Sequence, residues 1–569
     1  MFGRIWFRNS KRRVISGVLN RTAGVGRFTA GLRPVRWAAR QRVLRIPVGI
    51  FILLYAVFGR FIWRPGTRLI KRIRRYLGRH EVWFYLLTWG ICALIGLILS
   101  VTWWIFNSVL IAMLLAIVTA GAFAVICFRS PVAGLLSYLV VAPALKSVFY
   151  FKLVEGMPLF TTDLVAVMVL LVVYFVHPKK DTAHGPTRLL HWLMALFILG
   201  ELVAAMRTDI PKRSAQMVFD QYMTPMIIYL FARRWISDVK RLQAFFLMMV
   251  LIGSYFFVFA IPEHFTGRNY FSHSGRSAWV ETQLGTVRAQ GPASSPQEFG
   301  LTLVLVFLVA LVWMPYAPGK RKVLFVLLAI ACLVGIAYTL RRSVYLGFGL
   351  GLIVMLIGSA KVRRNTVITI ACCLLALAVG WQTLIHSEVY AVRLGQTTPL
   401  LTRAVVYATS WNIVKHHPWF GLGFDKYGEG RKEYLVGYKD ILPWYGQGFQ
   451  DPHSSYWAIM VDAGILTFVP FCGAFFMMFY TCYLMYKRVR APGLLGRDGI
   501  IVFWAYALGV LSQAGSSNTF FHDRTLIVLI YFYFGALVGT HLREEKSEGP
   551  VTLPAQAAPR RVPRRVAQV

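Results

Sequence analysis

The chain has 569 residues, of which 57% are hydrophobic and 15% are charged, and its formal net charge is +39. Soluble domains average about 45–50% apolar and about 25% charged residues, so a water-facing fold cannot bury this much apolar surface. No nucleic-acid recognition motif accompanies the positive charge, so we expect membrane lipids and not nucleic acid as partners. The composition indicates a polytopic membrane protein.

Residues 1–80 form a strongly basic arm ahead of the first apolar run. They contain 20 Lys or Arg residues and no Asp or Glu, and they do not resemble a cleavable signal peptide. The stretch 46–63 is apolar but short and flanked by arginines, which predicts an interfacial helix. We expect the arm to lie at the cytoplasmic face, where anionic lipids attract basic segments.

Fourteen apolar runs follow this arm, and a helix needs roughly 20 apolar residues to cross a bilayer. The runs lie near 84–101, 108–127, 131–145, 160–177, 188–206, 217–233, 243–261, 297–316, 323–340, 344–358, 366–380, 456–486, 499–514 and 525–541. Basic connections such as "HPKKDTAHGPTR", "ARRWISDVKR" and "KRVR" follow even-numbered runs, as the positive-inside rule requires. The predicted fold class is an all-α polytopic membrane protein of about 12–14 transmembrane helices, with a bundle at 81–380 and further helices at 453–541.

The same rule places two long connections on the outer face, 262–296 and 381–452. The second has 72 residues and is predicted to be a large periplasmic loop containing short helices. One helix is expected between Pro399 and Pro418, because proline favours the first turn of a helix and ends a preceding one. The tail 542–569, rich in Pro, Ala and Arg, is predicted to be disordered and cytoplasmic.

Several arginines break the positive-inside pattern because they lie at the predicted outer face: Arg288, Arg341, Arg342, Arg403 and Arg524. One interpretation is that each guanidinium reaches lipid headgroup phosphates. The other is that they converge with His453 on a pocket for a diphosphate, which arginine binds through its planar fork. Both interpretations fit the composition of these segments.

His453 stands directly ahead of an apolar run, in "DPHSSYWAIM", and can exchange a proton near neutral pH. A histidine at a helix entrance is either a structural residue or a catalytic one. Tyr456, one turn later, is a candidate for substrate binding or for packing at the membrane interface. Other polar residues also have both a structural and a functional interpretation: Glu201, His416, His417, Asp462, His522 and Asp523.

No metal site or cofactor is predicted, because the outer connections lack a paired-carboxylate motif of the Asp-x-Asp kind. Asp425, Glu429 and Glu433 recur at helical spacing, but Lys426 and Arg431 lie among them, which indicates a solvated face. The seven cysteines all fall in apolar runs, which is typical of small hydrophobic residues and not of zinc ligands or disulfides.

Several segments carry a family resemblance. "TRAVVYATSWNIVKHHPWFGLGF", followed further on by "DPHSSYWAIMVDAGIL", resembles the signature region of the O-antigen ligase and polymerase family. "YTLRRSVYLGFG" is similar to an upstream stretch of that family, and "VRAQGPASSPQEFGLTL" to a segment in which a turn leads into a span. The resemblance extends over residues 155–541 and is most specific over 285–470.

This resemblance implies roles for individual residues. His453 corresponds to the catalytic histidine of the family, Arg403 to its loop arginine and Arg342 to the arginine of the upstream stretch. Two positions depart from the family pattern, since Ser454 stands where Asn is usual and Arg341 where Ser is usual. The remaining candidates for substrate binding are Arg288, Arg341, Arg524 and Tyr456.

Enzymes of this family transfer a glycan from an undecaprenyl diphosphate carrier to an acceptor hydroxyl at the outer face of the bacterial inner membrane. By resemblance, His453 takes the proton of the hydroxyl while Arg342 and Arg403 hold the departing diphosphate. Single displacement inverts the anomeric carbon, so the α-linked carrier gives a β-linked product. Together with the missing metal motif, these features predict a metal-independent inverting glycosyltransferase.

Three acceptors remain open: a growing surface polysaccharide or exopolysaccharide, which is slightly favoured, the lipid A core, or a protein. The competing class of protein is a polyprenyl-lipid flippase or another secondary transporter. Such transporters usually carry paired internal repeats, and we find none in this sequence. A transporter also does not need the long loop that ends at His453, so the sequence favours the enzyme.

Overall fold

The computed structural model describes residues 85, 90, 120–145, 150–151, 160–177, 185–269, 271, 280–281, 286–386, 398–435 and 451–542. The described residues belong to one compact unit, Val82–Val569. Several predictions concern residues outside these ranges: the basic arm with its interfacial helix, most of the first two apolar runs, parts of the two long outer connections, and the tail.

Helices account for nearly all of the described regular structure. Those of the first half are α1 Pro131–Leu145, α2 Thr162–Val176, α3 Gly185–Met206, α4 Pro211–Val218, α5 Thr224–Trp235, α6 Val239–Thr266, α7 Pro296–Trp313 and α8 Gly319–Tyr338. Those of the second half are α9 Arg342–Gly358, α10 Ala360–Ile385, α11 Thr398–His416, α12 Tyr427–Tyr434, α13 Ser455–Ala463, α14 Ile465–Arg488, α15 Arg497–Ala514, α16 Thr519–His522 and α17 Arg524–His541. A π-helical turn, Phe219–Met223, joins α4 to α5.

The described structure also contains two short antiparallel strand pairs. Strand β1 Tyr150–Phe151 pairs with β2 Phe160–Thr161, and β3 Val280–Glu281 pairs with β4 Thr286–Val287. Each strand has two residues, so these pairs do not form a sheet core.

Seven of the described helices are long and apolar enough to cross a membrane. They are Pro186–Met206, Val239–Thr266, Pro296–Tyr316, Gly319–Tyr338, Arg363–Gln382, Ile465–Arg488 and Arg524–His541. Shorter apolar helices lie at Ala120–Arg129, Leu164–Val176 and Arg342–Gly358. The chain is an all-α polytopic membrane protein, which confirms the predicted fold class. The total of about 12–14 spans stays a prediction.

The centre of the bundle consists of helices that are apolar around their whole circumference. Nearly every residue of α7 and α17 is buried, and α17 packs on α5 while α7 packs on α8 and α15. In contrast, apolar side chains of α10 such as Leu375 and Val379 are exposed. Since a helix that is hydrophobic all round is buried in protein or in lipid, α10 lies at the periphery of the bundle.

A second, smaller apolar core lies where α11, α12 and α13 meet. It contains Val406 and Ile413 of α11, Tyr427 of α12 and Val461 of α13. Helix α11 is the one that the sequence predicts between the two prolines, and it ends at His416. This core joins the described part of the long connection, residues 398–435, to α13. We call the side of the molecule where it lies the loop face.

The single apolar run predicted at 456–486 is divided into α13 and α14 at Gly464. Gly464 has φ +75°, and a Cβ there would overlap the backbone of Trp419. The N–H of Ile465 donates to the carbonyl of Pro418 at 2.8 Å. The break therefore lets the segment after α11 pack against the entrance of the next span.

Candidate active site

His453 lies in a sharply bent segment just before α13. Its backbone has φ +51°, a left-handed conformation that few non-glycine residues adopt. The N–H of His453 donates to Oδ1 of Asp451 at 2.6 Å, which is the pattern of an Asx turn. Pro452 between them is buried, and the imidazole of His453 is half-buried. The "DPH" sequence thus holds the histidine at the edge of the loop face.

The C-terminal helices support the same segment from the other side. The N–H of Ser455 donates to the carbonyl of Ser517 at 3.2 Å, and Oγ of Ser455 accepts from the N–H of Phe520 at 3.0 Å. Nε2 of His522 lies 2.7 Å from Oδ2 of Asp451. These bonds tie the start of α13 to the short helix α16.

The segment after α11, "PWFGLGF", is fixed by its backbone. Arg207, just past α3, donates to the carbonyls of Phe420 at 2.6 Å and Gly421 at 3.1 Å. The N–H of Leu422 donates to the carbonyl of Val461 at 2.7 Å. A Cβ on Gly421 would overlap the same part of α13, so the signature glycine permits this close approach. Arg207 was not among the residues predicted from the sequence.

Arg288 lies in a segment that a buried carboxylate holds in place. Glu263, near the end of α6, accepts from the N–H of Gln290 at 3.2 Å and of Gly291 at 2.6 Å. Asn269 donates to the same carboxylate at 2.9 Å. Glu263 was not predicted from the sequence, although an ionisable residue near the end of an apolar run was a signal.

This segment also contacts the end of α8. The N–H of Ala289 donates to the carbonyl of Tyr338 at 3.1 Å, and Arg341 follows a few residues later at the start of α9. The turn between the two helices contains Leu340, whose φ is +49°. Arg288 and Arg341 are therefore brought together by backbone contacts.

Arg341 is the centre of a cationic cluster. It interacts electrostatically with Arg288, Asp523 and Arg403, so four separate elements contribute to the cluster. Burial, then the like charge of Arg288 and the smaller effect of Arg403, lower the pKa of Arg341 to about 10, although Asp523 opposes this shift. Burial likewise lowers the pKa of Arg288. Three guanidinium groups thus share a partly desolvated space with one carboxylate.

Asp523 is itself positioned by the start of α7. Its Oδ1 accepts a hydrogen bond from Oγ of Ser295, and Ser295 caps α7 by accepting from the N–H of Glu298 at 3.0 Å. Asp523 is fully buried. The carboxylate that faces Arg341 therefore belongs to a fixed network and does not have to move to meet it.

His453 adjoins this cluster, and its surroundings favour the neutral imidazole. Burial lowers its pKa from the usual value of about 6.5, as do Arg403, His522 and Arg341, while Asp451 opposes them. A neutral imidazole can accept a proton, and its position beside two arginines puts that base next to a place for an anion.

Three predicted residues lie outside this group. Arg342 is the first residue of α9 and is exposed, and its guanidinium makes no hydrogen bond or ion pair with any described residue. Arg524 is buried, with Nη1 3.9 Å from Oδ1 of Asp220 on the π-helical turn. The hydroxyl of Tyr456 donates to the carbonyl of Leu511 at 2.7 Å. Tyr456 thus anchors α13 to α15.

The other polar candidates from the sequence lie against neighbouring residues of the protein. Nδ1 of His416 lies 2.9 Å from the carbonyl of Asn412, one turn back in α11. Nε2 of His417 lies 2.9 Å from the hydroxyl of Tyr434. Glu201 of α3 is fully buried and lies near Asp462. Within the described ranges, no group of three or more His, Cys, Asp or Glu residues is placed to hold a metal ion.

Residues 326–472 match the family model described as O-antigen ligase. The matched region contains Arg341, Arg403 and His453, while Arg288, Asp523 and Arg524 lie outside it. The match supports membership of the O-antigen ligase family for this part of the chain. No curated protein matches the chain. The family resemblance predicted from the sequence is confirmed, and the O-antigen ligase family implies an enzyme that acts on lipid-linked glycans and polysaccharides in the cell envelope.

Proposed function

We propose that the chain is a metal-independent, inverting glycosyltransferase of the bacterial inner membrane, acting on undecaprenyl-diphosphate-linked glycans at the periplasmic face. The observation that carries this proposal is the position of Arg341 and Arg403 beside His453, with Arg288 next to Arg341. The O-antigen ligase family match over residues 326–472 supports it.

The cationic cluster suits a diphosphate for an electrostatic reason. Three guanidinium groups in a partly buried space repel one another, since Coulomb interactions strengthen as the effective dielectric falls. A bound diphosphate removes this repulsion and offers oxygens to each planar fork. Attraction grows further when the glycosidic bond breaks, because negative charge then accumulates on the departing diphosphate. The cluster therefore stabilises the transition state more than the bound substrate.

His453 supplies the base for the same step. Its neutral imidazole accepts the proton of the acceptor hydroxyl, and the hydroxyl oxygen forms a bond to the anomeric carbon of the carrier-linked sugar. The bond between that carbon and the carrier's phosphate oxygen breaks, and the diphosphate leaves with the electron pair. One displacement inverts the configuration, so an α-linked donor gives a β-linked product.

Arg341 takes the part that the sequence resemblance assigns to Arg342. The two are adjacent in the chain, but Arg341 interacts with Arg288, Arg403 and His453, whereas Arg342 is exposed on the first turn of α9. An exposed arginine at a helix end suits lipid headgroup phosphates. We therefore propose Arg341, Arg403 and Arg288 as the diphosphate clamp and Arg342 as a residue at the membrane surface.

For the acceptor, we propose a growing surface polysaccharide or exopolysaccharide, with the lipid A core or a protein as alternatives. The transporter alternative is disfavoured by the way in which α11, α12 and α13 pack into one core beside His453. A permeation pathway does not require a base and a basic cluster fixed in this way.

The test is transfer by the purified full-length chain in lipid nanodiscs, supplied with an undecaprenyl-diphosphate-linked glycan and each acceptor in turn. We expect elongated glycan with a β-linkage, resolved by NMR, and an unchanged rate in EDTA. An α-linkage contradicts inversion, and loss of activity that Mg²⁺ restores contradicts metal independence. Movement of the carrier across the bilayer without a new glycosidic bond contradicts the enzyme altogether.

A further inference from the structure

The carboxylate of Asp451 makes two contacts that point in different directions. Oδ1 accepts from the N–H of His453 at 2.6 Å, and Oδ2 lies 2.7 Å from Nε2 of His522. The first contact is local, across two residues, and the second joins segments 71 positions apart in the chain. Asp451 thus couples the position of His453 to the short helix α16.

Both contacts are needed because the backbone of His453 is unusual. A left-handed φ is disfavoured for residues with a Cβ, so it persists only when surrounding bonds hold it. The Asx turn from Asp451 supplies one such bond. A carboxylate free to rotate would lose this geometry, and His522 limits that rotation by holding the second oxygen.

We propose that Asp451 is a positioning residue for His453, and that His522 is the residue that holds Asp451 in place. The inference rests on the proposed function of His453 as the base. Neither residue contacts the reacting atoms in this account. They orient the imidazole toward the acceptor by holding the backbone of His453, and they adjust its charge through space.

The charges around Asp451 and His453 make the proposal testable through the pH dependence of activity. Asp451 favours the protonated imidazole of His453, whereas His522, Arg403 and Arg341 oppose it. Other charged groups that act on Asp451 or His522 are Asp425 and Asp462, and the buried hydroxyl of Tyr222 also lies within range of Asp451. These groups stay in place when Asp451 or His522 is replaced.

Replacement of Asp451 and replacement of His522 should move the acid limb of the kcat/KM pH profile in opposite directions. Asp451→Asn removes the negative charge, so the pKa of His453 falls and the limb shifts to lower pH. His522→Gln removes a positive charge wherever His522 is protonated, so the limb shifts to higher pH. A purely structural role for the pair would change the rate without opposite shifts. His416→Gln is the matched control, because His416 is exposed on α11 and bonds within its own helix.

The transfer rate at the optimal pH tests the role of Oδ1 of Asp451. Asn keeps an acceptor for the N–H of His453, whereas Ala does not, so Asp451→Ala should lose more activity than Asp451→Asn. We expect a loss in kcat on the order of 10²-fold for Asp451→Ala, which is typical of a misplacement of about 1 Å. Equal rates for the two variants would overturn the positioning role of Oδ1.

The outcomes also distinguish this inference from the proposed function. If His453→Ala keeps wild-type transfer, His453 is not the base and the proposed function fails. If His453→Ala is inactive while the pH profiles of Asp451→Asn and His522→Gln coincide with that of the wild type, only the positioning proposal is overturned. His522→Gln alters an exposed side chain, so it remains informative even if an Asp451 variant does not fold.

Discussion

Adjacent residues in this chain have different surroundings, and the arginine pair at the start of α9 illustrates why. Arg341 precedes the helix and turns toward Arg288 and Arg403, while Arg342 begins the helix and is exposed. The sequence placed both at an outer turn, which was sufficient to select them as candidates. It did not determine which one faces the site, because that depends on the φ of Leu340 and on contacts with a distant loop.

This difference predicts unequal effects of the same substitution at neighbouring positions. Arg341→Gln should lower kcat by about 10²–10³-fold, as loss of one transition-state donor does. Arg342→Gln should leave kcat near the wild-type value and serves as the matched control. Steady-state transfer kinetics with purified carrier-linked glycan measure both. Equal losses in the two variants, or loss only in Arg342→Gln, would contradict the assignment of Arg341 in place of Arg342 to the diphosphate clamp.

The pH dependence of the wild-type enzyme follows from the surroundings of His453. If His453 is the base, as proposed, it must be neutral, so kcat/KM should fall as the pH drops through its pKa. Burial and then Arg403, His522 and Arg341 lower that pKa from its usual value, while Asp451 opposes the shift. We therefore expect the acid limb of kcat/KM below about pH 6.5. A limb well above that value in the free enzyme would contradict the proposed surroundings of the imidazole.

At the scale of elements, apolar runs and prolines predicted most of the described helices. The bounds of α1 coincide with the predicted run 131–145, and α11 lies between Pro399 and Pro418 as expected. The sequence missed the break at Gly464, because it arises from the close approach of a distant segment at Trp419. It also missed the anchoring of the Arg288 segment by Glu263, since a carboxylate in an apolar run does not reveal its partners.

The anchoring role of Glu263 predicts a linked effect on stability and binding. Glu263→Gln replaces one acceptor oxygen with a donor, so a buried N–H loses its partner, at a cost of about 1–3 kcal/mol. The thermal unfolding midpoint in detergent should fall, and KM for the carrier should rise because Arg288 is displaced. Glu429→Gln, an exposed carboxylate on α12, should change neither quantity. A stable Glu263→Gln enzyme with normal KM would show that the segment is held by other contacts.

At the scale of the molecule, the distribution of lysine and arginine predicts a membrane topology, and the proposed function requires the same topology. The proposed site can meet a lipid-linked glycan outside the cell only if the loop face is periplasmic. The basic connection that begins α8 should then lie in the cytoplasm. The sequence could predict this arrangement because charge bias is a property of short loops and does not depend on tertiary contacts.

Cysteine labelling in intact cells tests the topology. Glu429→Cys on the loop face should react with a membrane-impermeant maleimide, and Lys320→Cys should react only after lysis. Both positions are exposed, and the unsubstituted chain reports the background from its own cysteines. Labelling of Lys320→Cys in intact cells together with protection of Glu429→Cys would invert the topology and remove the periplasmic site.

The central claim is that His453 is the base of a glycosyl transfer beside an arginine clamp. The most direct measurement is the transfer rate of His453→Ala in nanodiscs, with His416→Ala as the matched histidine control and carrier binding measured separately. We expect a loss of about 10²–10⁴-fold in kcat for His453→Ala, nearly unchanged carrier binding, and wild-type kinetics for His416→Ala. Transfer by His453→Ala at the wild-type rate would contradict the account.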